Sequence, residues 1–241
     1  MTAPHLSIII PAFNESVRIG ATIEELRTFL PTLGIDWEIR VVDDGSTDET
    51  AAIVEHIGAT DPRVIAQREP HRGKGGTVRA GMLATQSELR FLCDADLSMP
   101  VRELPRFLAL VPTPYDIVIG SREGLGAARL NEPAYRHLMG RIFNGFVRFM
   151  AVGGIDDTQC GFKMFSGEAA DLVFAHLTVE GWAFDIEALV AARRRGLSVH
   201  EMPIEWHFRE LSRVSPLRDS MRMTWDLIRI RWNMLRGRYD V

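Results

Sequence analysis

Short β-branched segments alternate with segments of helical periodicity over the first 120 residues, and this alternation limits the fold more than any other feature of the chain. Because strands that alternate with helices pair in parallel and are covered on both faces, the pattern predicts an α/β fold with a Rossmann-like, mostly parallel sheet. Helical patterns lie near 18–33, 47–57, 75–86 and 101–111. The predicted strands are LSIII (6–10), WEIRVV (37–42), RVIAQ (63–67), LRFLC (89–93) and DIVIG (116–120).

Length and composition are those of a globular protein. The 241 residues, 46% apolar and 25% charged, suffice for a large core. Cys93 and Cys160 lie far apart without a paired histidine, so we expect neither a zinc site nor a disulfide framework. No uninterrupted apolar stretch reaches the ~18 residues of a spanning helix, and no basic flank precedes an N-terminal apolar run. We therefore expect no spanning helix, no signal peptide and a cytoplasmic location.

Polar residues follow every predicted strand, at the edge of the sheet where α/β proteins bind ligands. DDGSTD, after the second strand, fits either ligand contact or capping of the next helix by Ser46 or Thr47, with Asp48 and Glu49 in its first turn. We expect the ligand site at this edge. The polar segments are PAFNES (11–16), DDGSTD (43–48), HRGKGGT (71–77), DADLS (94–98) and SRE (121–123).

The segment HRGKGGT also leaves two interpretations open. It is not a Walker phosphate loop, because position 68 is Arg and position 75 is Gly. Its glycines would let an anion approach the start of the following helix, with Lys74 and Arg79 nearby, which predicts Lys74 beside a nucleotide diphosphate. A simple loop-to-helix turn explains the same residues.

Asp94 and Asp96 stand one residue apart where the fourth predicted strand ends. Two such carboxylates repel each other, and a divalent cation between them and a diphosphate removes that cost. A surface turn is the alternative, but the other polar strand ends favour the metal. A cation held there acts as a Lewis acid on a leaving group.

Seven segments of the chain resemble inverting family-2 glycosyltransferases of the GT-A fold. They are IIIPAFNES, VVDDGSTD, RGKGGTVRAGM, FLCDADLSMP, VIGSR, DTQCGFKMF and GWAFDIE. Within that family the chain is similar to polyprenyl- and dolichyl-phosphate sugar synthases, especially dolichyl-phosphate β-glucosyltransferases, over roughly residues 5–215. The resemblance implies inverting transfer of a sugar, with glucose from UDP-glucose favoured, to polyprenyl or dolichyl phosphate, giving a β-linked lipid-phosphate sugar.

The resemblance also implies roles for individual residues on the donor side. Asp94 and Asp96 would hold Mg²⁺ or Mn²⁺ against the donor diphosphate. Mannose-transferring relatives have a glutamine as a further metal ligand where this chain has Ser98, so Ser98 is the candidate third ligand. The residues expected at the nucleotide are Pro11, Ala12, Asn14, Glu15, Asp43, Asp44 and Lys74.

On the acceptor side, Arg122, Arg136 and Arg209 match arginines that grip the acceptor phosphate, although Gly140 stands where mannose-transferring relatives have a phosphate-contacting serine. These arginines and the two aspartates are the expected catalytic residues. The residues expected to bind sugar hydroxyls are Asp157, Gln159, Asp185 and Glu187, and for Asp185 and Glu187 the first turn of a helix is the alternative.

The chemistry of a phosphate nucleophile explains the arginines. Its second pKa is about 6, so at neutral pH the nucleophile is mostly ionised and needs no catalytic base. Guanidinium forks position it and neutralise part of its charge beside an anionic donor. We therefore expect direct attack on C1 of an α-linked nucleotide sugar.

Two basic segments carry apolar stripes. Residues 217–238 hold six arginines and two aspartates, and residues 129–148 hold four arginines and one glutamate. Tryptophans beside arginines suit a membrane surface, so we expect residues 216–241 to be a basic amphipathic helix attached to the cytosolic face of a membrane, behind a catalytic domain of residues 1–215. Packing on the same domain or on a second copy is the alternative. The stripe in the first segment is Leu217, Met221, Trp225, Ile228, Trp232 and Leu235.

Other functions stay open. The same reaction with GDP-mannose or another nucleotide sugar fits the residues, and so does a non-catalytic nucleotide-sugar-binding protein, although the intact aspartates and arginines oppose the latter. A nucleic-acid partner is not expected, because the arginines alternate with large apolar residues. A homo-oligomer is compatible with the sequence.

Overall fold

The computed structural model describes residues 4–208 and 216–240, and within the helix at Ala134–Met150 and at the start of the helix at Pro216–Leu235 it describes only the backbone of some residues. Its centre is a seven-stranded sheet of order β3-β2-β1-β4-β7-β5-β8, beside a two-stranded sheet of β6 and β9. The strands are β1 (Leu6–Ala12), β2 (Trp37–Asp43), β3 (Val64–Arg68), β4 (Leu89–Leu92), β5 (Ile117–Ser121), β6 (Ala128–Leu130), β7 (Lys163–Ser166), β8 (Val199–Pro203) and β9 (Glu205–His207).

The described residues form eight α-helices around the sheets. They are α1 (Ile19–Phe29), α2 (Thr50–Thr60), α3 (Lys74–Leu83), α4 (Leu104–Leu108), α5 (Ala134–Met150), α6 (Gly167–Phe174), α7 (Phe184–Arg194) and α8 (Pro216–Leu235). Short 3₁₀ helices cover Leu30–Leu33 and Val101–Glu103. A proline in the first turn of the Leu30–Leu33 helix and of α4 explains why the predicted helices 18–33 and 101–111 are each divided.

The expected mostly parallel sheet is confirmed. Only β7 runs antiparallel in the large sheet, between β4 and β5. The five predicted strands are present within two residues of their expected ends, whereas β6 to β9 were not predicted, because they are three to five residues long and show no extended alternation.

Helices on both faces of the sheet bury two hydrophobic clusters. Successive residues of a strand point to opposite faces, so Ile8 and Ile10 pack with α1, α2 and α4, while Ile9 packs with α3, α6 and α7. All three isoleucines are fully buried. This arrangement holds the carboxyl ends of β1, β2 and β4 together at one edge.

Helix α8 packs on the same body. Leu227 and Ile230 are fully buried in the cluster that contains α7, and Tyr239, just after the helix, is buried there as well. No helix in the two described ranges is long and apolar enough to cross a membrane.

Candidate active site

Asp94 and Asp96 lie on the turn that follows β4, half-buried at the carboxyl edge of the sheet. The Nζ atom of Lys74, the first residue of α3, donates to Asp94 Oδ1 at 2.6 Å. Burial and the neighbouring charge of Asp94 raise the pKa of Asp96. The pair therefore carries the mutual repulsion that a bound cation would relieve.

Gly161 leaves the space that the Asp94 carboxylate occupies. A Cβ atom added at Gly161 would overlap the Asp94 carboxylate, so only a glycine permits this approach. The DTQCGF segment thus packs directly against the aspartate pair.

Ser98 contacts Asp96 from its own turn. Its backbone N–H donates to Asp96 Oδ1 at 3.0 Å, and its carbonyl accepts from the His207 N–H at 2.7 Å. A hydrogen bond from Ser98 also opposes the upward shift in the pKa of Asp96. The structure thus places Ser98, which is 3% exposed, as a support of Asp96.

The donor set around this turn fits a divalent cation shared with a ligand. Within residues 4–208 and 216–240, no three His, Cys, Asp or Glu side chains form a metal cluster, so a closed protein site does not fit. Mg²⁺ is commonly held by one or two carboxylates together with substrate phosphates, and Asp94 and Asp96 match that pattern. The ammonium of Lys74 already pairs with Asp94, so a metal at this carboxylate would share or replace that partner.

Lys74 lies among three carboxylates. Burial opposes its charge, but Asp94, Asp185 and Asp96 outweigh that effect and raise the pKa of Lys74. Its Nζ is also 5.4 Å from the ring centroid of Trp182.

The glycines around Lys74 serve packing. The N–H groups of Gly75 and Gly76 donate to the Glu180 carbonyl at 2.8 and 3.3 Å, and a Cβ at Gly75 would lie 2.5 Å from the Val179 carbonyl oxygen. The N–H of Gly73 donates to the Asp44 carboxylate. Because these donors are already used, the loop-to-helix turn explains HRGKGGT better than a backbone anion site. Arg79, from the same segment, binds carbonyls at the end of α6.

Asp43 and Asp44 differ in what they can still bind. Asp44 accepts from the backbone N–H groups of Arg72 and Gly73 and lies 2.9 Å from His71 Nδ1. Asp43 accepts from the Ser46 N–H through Oδ2, while its buried Oδ1 has no partner in the described parts of the chain. Of the two, Asp43 keeps an acceptor for a ligand.

The PAFNES loop is hydrogen-bonded to the loop that follows β2. The Asn14 N–H donates to Ser46 Oγ at 2.7 Å, and the Thr47 N–H donates to Asn14 Oδ1 at 2.8 Å. The Glu15 N–H donates to Thr50 Oγ1. Pro11 and Ala12 end β1 beside Asp43. These expected nucleotide residues therefore share one edge with Asp43.

The proposed capping by Ser46 or Thr47 is wrong, since α2 begins only at Thr50 and has no side-chain cap at its N-terminus. Asp48 instead accepts from the Thr50 N–H at 3.0 Å. Burial raises the pKa of Asp48, but bonds from Thr50 and Ser16 outweigh it and lower that pKa to about 2.

Arg122, just after β5, forms an ion pair with Asp157. The guanidinium Nε and Nη2 donate to the two Asp157 oxygens at 2.7 and 2.8 Å, and the Arg122 N–H adds a third bond at 2.9 Å. Burial raises the pKa of the Asp157 carboxyl, but Arg122 outweighs it and lowers that pKa to about 2. With its carboxylate fully buried in this ion pair, Asp157 orients Arg122, and the expected contact with a sugar hydroxyl does not fit.

The structure describes neither side chain of the two other expected acceptor arginines. Arg209 lies outside the described residues, and so does the side chain of Arg136, whose backbone belongs to α5.

Asp185 and Glu187, in the first turn of α7, have different surroundings. Asp185 accepts from Lys163 Nζ at 2.6 Å through one oxygen, and burial raises the pKa of Asp185. Glu187 is fully buried and accepts from the Thr178 N–H and hydroxyl, the Val179 N–H and the Tyr239 hydroxyl. Both Glu187 oxygens are therefore used twice, which gives it an anchoring role in place of the expected sugar contact.

Gln159 is half-buried and makes no hydrogen bond to any residue whose placement is described, so its amide is available to a ligand. Sequence reasoning missed Lys163 and Gly161, although both lie in the DTQCGFKMF segment. A lysine placed among apolar strand residues was the signal for a buried ion pair.

Comparison with known proteins places the chain in a family. The model of "Glycosyl transferase family 2" matches residues 7–174. A dolichyl-phosphate β-glucosyltransferase of Dictyostelium discoideum is 32% identical over 252 aligned positions, covering 98% of this chain and 77% of that protein. The Homo sapiens protein of that name is 35% identical, with 96% and 76% covered.

Solved structures share the fold. Glucosyl-3-phosphoglycerate synthase from Mycobacterium tuberculosis, solved with Mn²⁺, UDP and its product, has a TM-score of 0.66 at 20% identity, covering 94% of this chain and 78% of that one. Mannosyl-3-phosphoglycerate synthase from Rubrobacter xylanophilus has a TM-score of 0.70 at 19% identity, with 97% and 74% covered. The expected GT-A fold is confirmed, and the chain belongs to glycosyltransferase family 2.

Proposed function

We propose that this glycosyltransferase transfers glucose from UDP-glucose to dolichyl or another polyprenyl phosphate, with inversion at C1. The names of its relatives in Dictyostelium discoideum, Saccharomyces cerevisiae and Homo sapiens support the donor sugar and the acceptor. The UDP and Mn²⁺ in the M. tuberculosis enzyme support the nucleotide and the metal.

One segment carries the proposal, because it links the aspartate pair to the arginine. Asp157 grips Arg122, and Gly161, four residues later, packs on Asp94. Four residues span at most about 14 Å, which supports placing the proposed metal aspartates and the proposed phosphate-binding arginine at one site. That arrangement suits a reaction between two phosphate-containing substrates.

In the proposed mechanism, Asp94 and Asp96 hold Mg²⁺ or Mn²⁺, which supplies Lewis-acid stabilisation of the leaving diphosphate when bound. Lys74 adds a second positive charge on that side. Arg122, kept in place by Asp157, holds the acceptor phosphate with its remaining N–H groups. An ionised phosphate oxygen forms a bond to C1 as the bond from C1 to the UDP oxygen breaks, so no proton has to be removed.

The donor is held by groups with free hydrogen-bonding capacity. Asp43 Oδ1, which has no hydrogen-bond partner among the described residues, fits the imino N–H of the base, with Pro11, Ala12, Asn14 and Glu15 as the other residues proposed at the nucleotide. An imino N–H occurs in both uracil and guanine, so Asp43 alone does not select between them. Gln159 and the second oxygen of Asp185 are the proposed contacts for sugar hydroxyls, and Arg136 and Arg209 the proposed further contacts for the acceptor phosphate.

We further propose that α8 rests on an anionic membrane surface, where a polyprenyl phosphate resides. Trp225 and Trp232 are 72% and 54% exposed, although the opposite side of the helix is buried in the core. Arg229 and Arg231 line the same exposed groove. Charged and aromatic side chains in this arrangement match headgroups and the acyl boundary.

Helix α8 lies near the candidate site. A Cβ at Gly181 would meet the Asp226 carboxylate of α8 at 3.4 Å, and the ring of the next residue, Trp182, has its centroid 5.4 Å from Lys74 Nζ. This proximity supports delivery of a lipid phosphate from the membrane side of α8.

The test is transfer of label from UDP-glucose, and in parallel from GDP-mannose, to a short polyprenyl phosphate in detergent, with Mn²⁺ or with chelator. A metal-dependent, acid-labile lipid product from UDP-glucose supports the proposal. Product from GDP-mannose alone would change the donor and keep the mechanism. Nucleotide binding without product from either donor would contradict the enzymatic proposal.

A further inference from the structure

The ammonium of Lys74 occupies the place where a metal would meet Asp94. Its Nζ is 2.6 Å from Asp94 Oδ1. The two side chains are only 18% and 29% exposed, so the pair is partly shielded from water. A divalent cation at Asp94 would stand next to this ammonium and be repelled by it.

Lys74 is more exposed than the nearby Lys163 and, among the described residues, is held by one acceptor instead of two. Lys163, 1% exposed, is held between Asp185 and the Cys160 carbonyl. Lys74 begins α3 beside the partly exposed ring of Trp182, and its long flexible stem allows the ammonium to change partners.

The diphosphate has few other cationic or backbone donors at this point. The N–H groups of Gly73, Gly75 and Gly76 are already bonded to Asp44 and Glu180. The Lys74 side chain is therefore a cationic group at the start of α3 that can meet the donor.

We infer that Lys74 is a tethered counter-ion: it neutralises Asp94 in the nucleotide-free enzyme and moves to the donor diphosphate when the metal binds. This inference rests on the proposed function. It makes metal and nucleotide binding mutually dependent, because each favours the state in which Lys74 has left Asp94. Without nucleotide the metal competes with Lys74, and with nucleotide that competition disappears.

The test is Mn²⁺ binding to the full chain, measured from the electron paramagnetic resonance signal of free Mn²⁺, with and without UDP. Lys74→Met keeps the length of the side chain and removes its charge. Without UDP we expect this variant to bind Mn²⁺ about tenfold more tightly than the wild type, since a competing charge is gone. The factor by which UDP strengthens Mn²⁺ binding is expected to fall.

Two matched variants separate the explanations. Arg79→Met removes the same charge from the same helix, but its guanidinium binds carbonyls and, among the described residues, no carboxylate, so Mn²⁺ affinity should stay within about twofold. Asp96→Asn reports whether the measured Mn²⁺ is at this site, because it should weaken binding strongly.

The outcomes are distinct. Tighter Mn²⁺ binding by Lys74→Met alone supports the counter-ion role. Unchanged or weaker binding by Lys74→Met, with Asp96→Asn impaired, overturns that role and leaves the proposed function standing. If Lys74→Met and Arg79→Met bind Mn²⁺ more tightly to the same extent, the change in net charge explains the effect, and the counter-ion role is overturned. If Asp96→Asn binds Mn²⁺ with UDP as the wild type does, the metal assignment and the inference fail together.

Discussion

At the residue scale, the candidate site depends on residues that touch no substrate. Gly161 gives Asp94 its space, and Asp157 gives Arg122 its orientation. Both act through another side chain. Substituting either of them should therefore impair sugar transfer while the protein still folds.

Gly161→Ala should lower sugar transfer about 100-fold, because its methyl group displaces the Asp94 carboxylate and misplaces the metal. The transfer assay and circular dichroism check this expectation together. Gly153→Ala is the control, since the nearest atom to its new methyl would be 3.9 Å away. Full activity of Gly161→Ala would contradict the role of Asp94.

Asp157→Asn should raise KM for the polyprenyl phosphate about tenfold, because the Arg122 fork loses its charged partner. KM for UDP-glucose should stay the same. The two constants are measured by steady-state kinetics, with the exposed neighbour Asp156→Asn as control. A matching rise in both constants would show that Asp157 supports the whole site and not the acceptor side.

At the scale of elements, the end of the chain is fastened to α7. The Tyr239 hydroxyl donates to Glu187 at 2.6 Å, and Asn233 of α8 bonds both Tyr239 and Thr178. Burial and the charge of Glu187 raise the pKa of Tyr239, so the hydroxyl stays protonated and keeps donating. These bonds hold α8 beside the candidate site.

Tyr239→Phe should lower the free energy of unfolding by about 1–2 kcal/mol, because a buried carboxylate loses one donor. Urea denaturation with an unchanged m-value measures this loss. Tyr135→Phe, at an exposed ring, should change stability little. If both variants unfold at the same urea concentration as the wild type, Tyr239 is not an anchor.

At the scale of the whole molecule, the exposed side of α8 and the site form one working surface in our proposal. Replacing Trp225 and Trp232 together by serine should weaken binding to vesicles that contain phosphatidylglycerol by about tenfold or more, since two large apolar side chains leave the interface. Transfer to a short, water-soluble acceptor should persist.

Vesicle sedimentation at low and at high salt measures this effect. Val17→Ser, which removes another exposed apolar side chain beside α1, serves as the control. Equal binding of the double variant and the wild type would assign the exposed tryptophans of α8 to another partner.

Local pattern was enough for five of the seven strands in the large sheet and for the polar residues that follow them. Strand and helix periods are local properties, so the segments 6–10, 37–42 and 116–120 were predictable, as were the aspartates after β4. Strand order and the antiparallel insertion of β7 were not, because pairing joins residues far apart in the chain.

Helix α8 shows a limit of prediction from local sequence pattern. Its sequence contains two stripes at helical spacing, and periodicity favoured the one with Trp225 and Trp232, which the structure leaves exposed. The other, with Met223, Leu227 and Ile230, is buried against the body of the protein. Both stripes satisfy the helical period, so only the neighbouring helices decide which one is covered.

Short-range order and residue type were sufficient to predict the α/β class, the ligand edge and the charged residues available for chemistry. The pairing of these side chains depends on the three-dimensional fold, which joins Lys74 to Asp94, Arg122 to Asp157 and Tyr239 to Glu187. Such pairs are set by the register of distant segments, which no local pattern encodes, and they separate groups that can bind a ligand from groups already used to hold the fold.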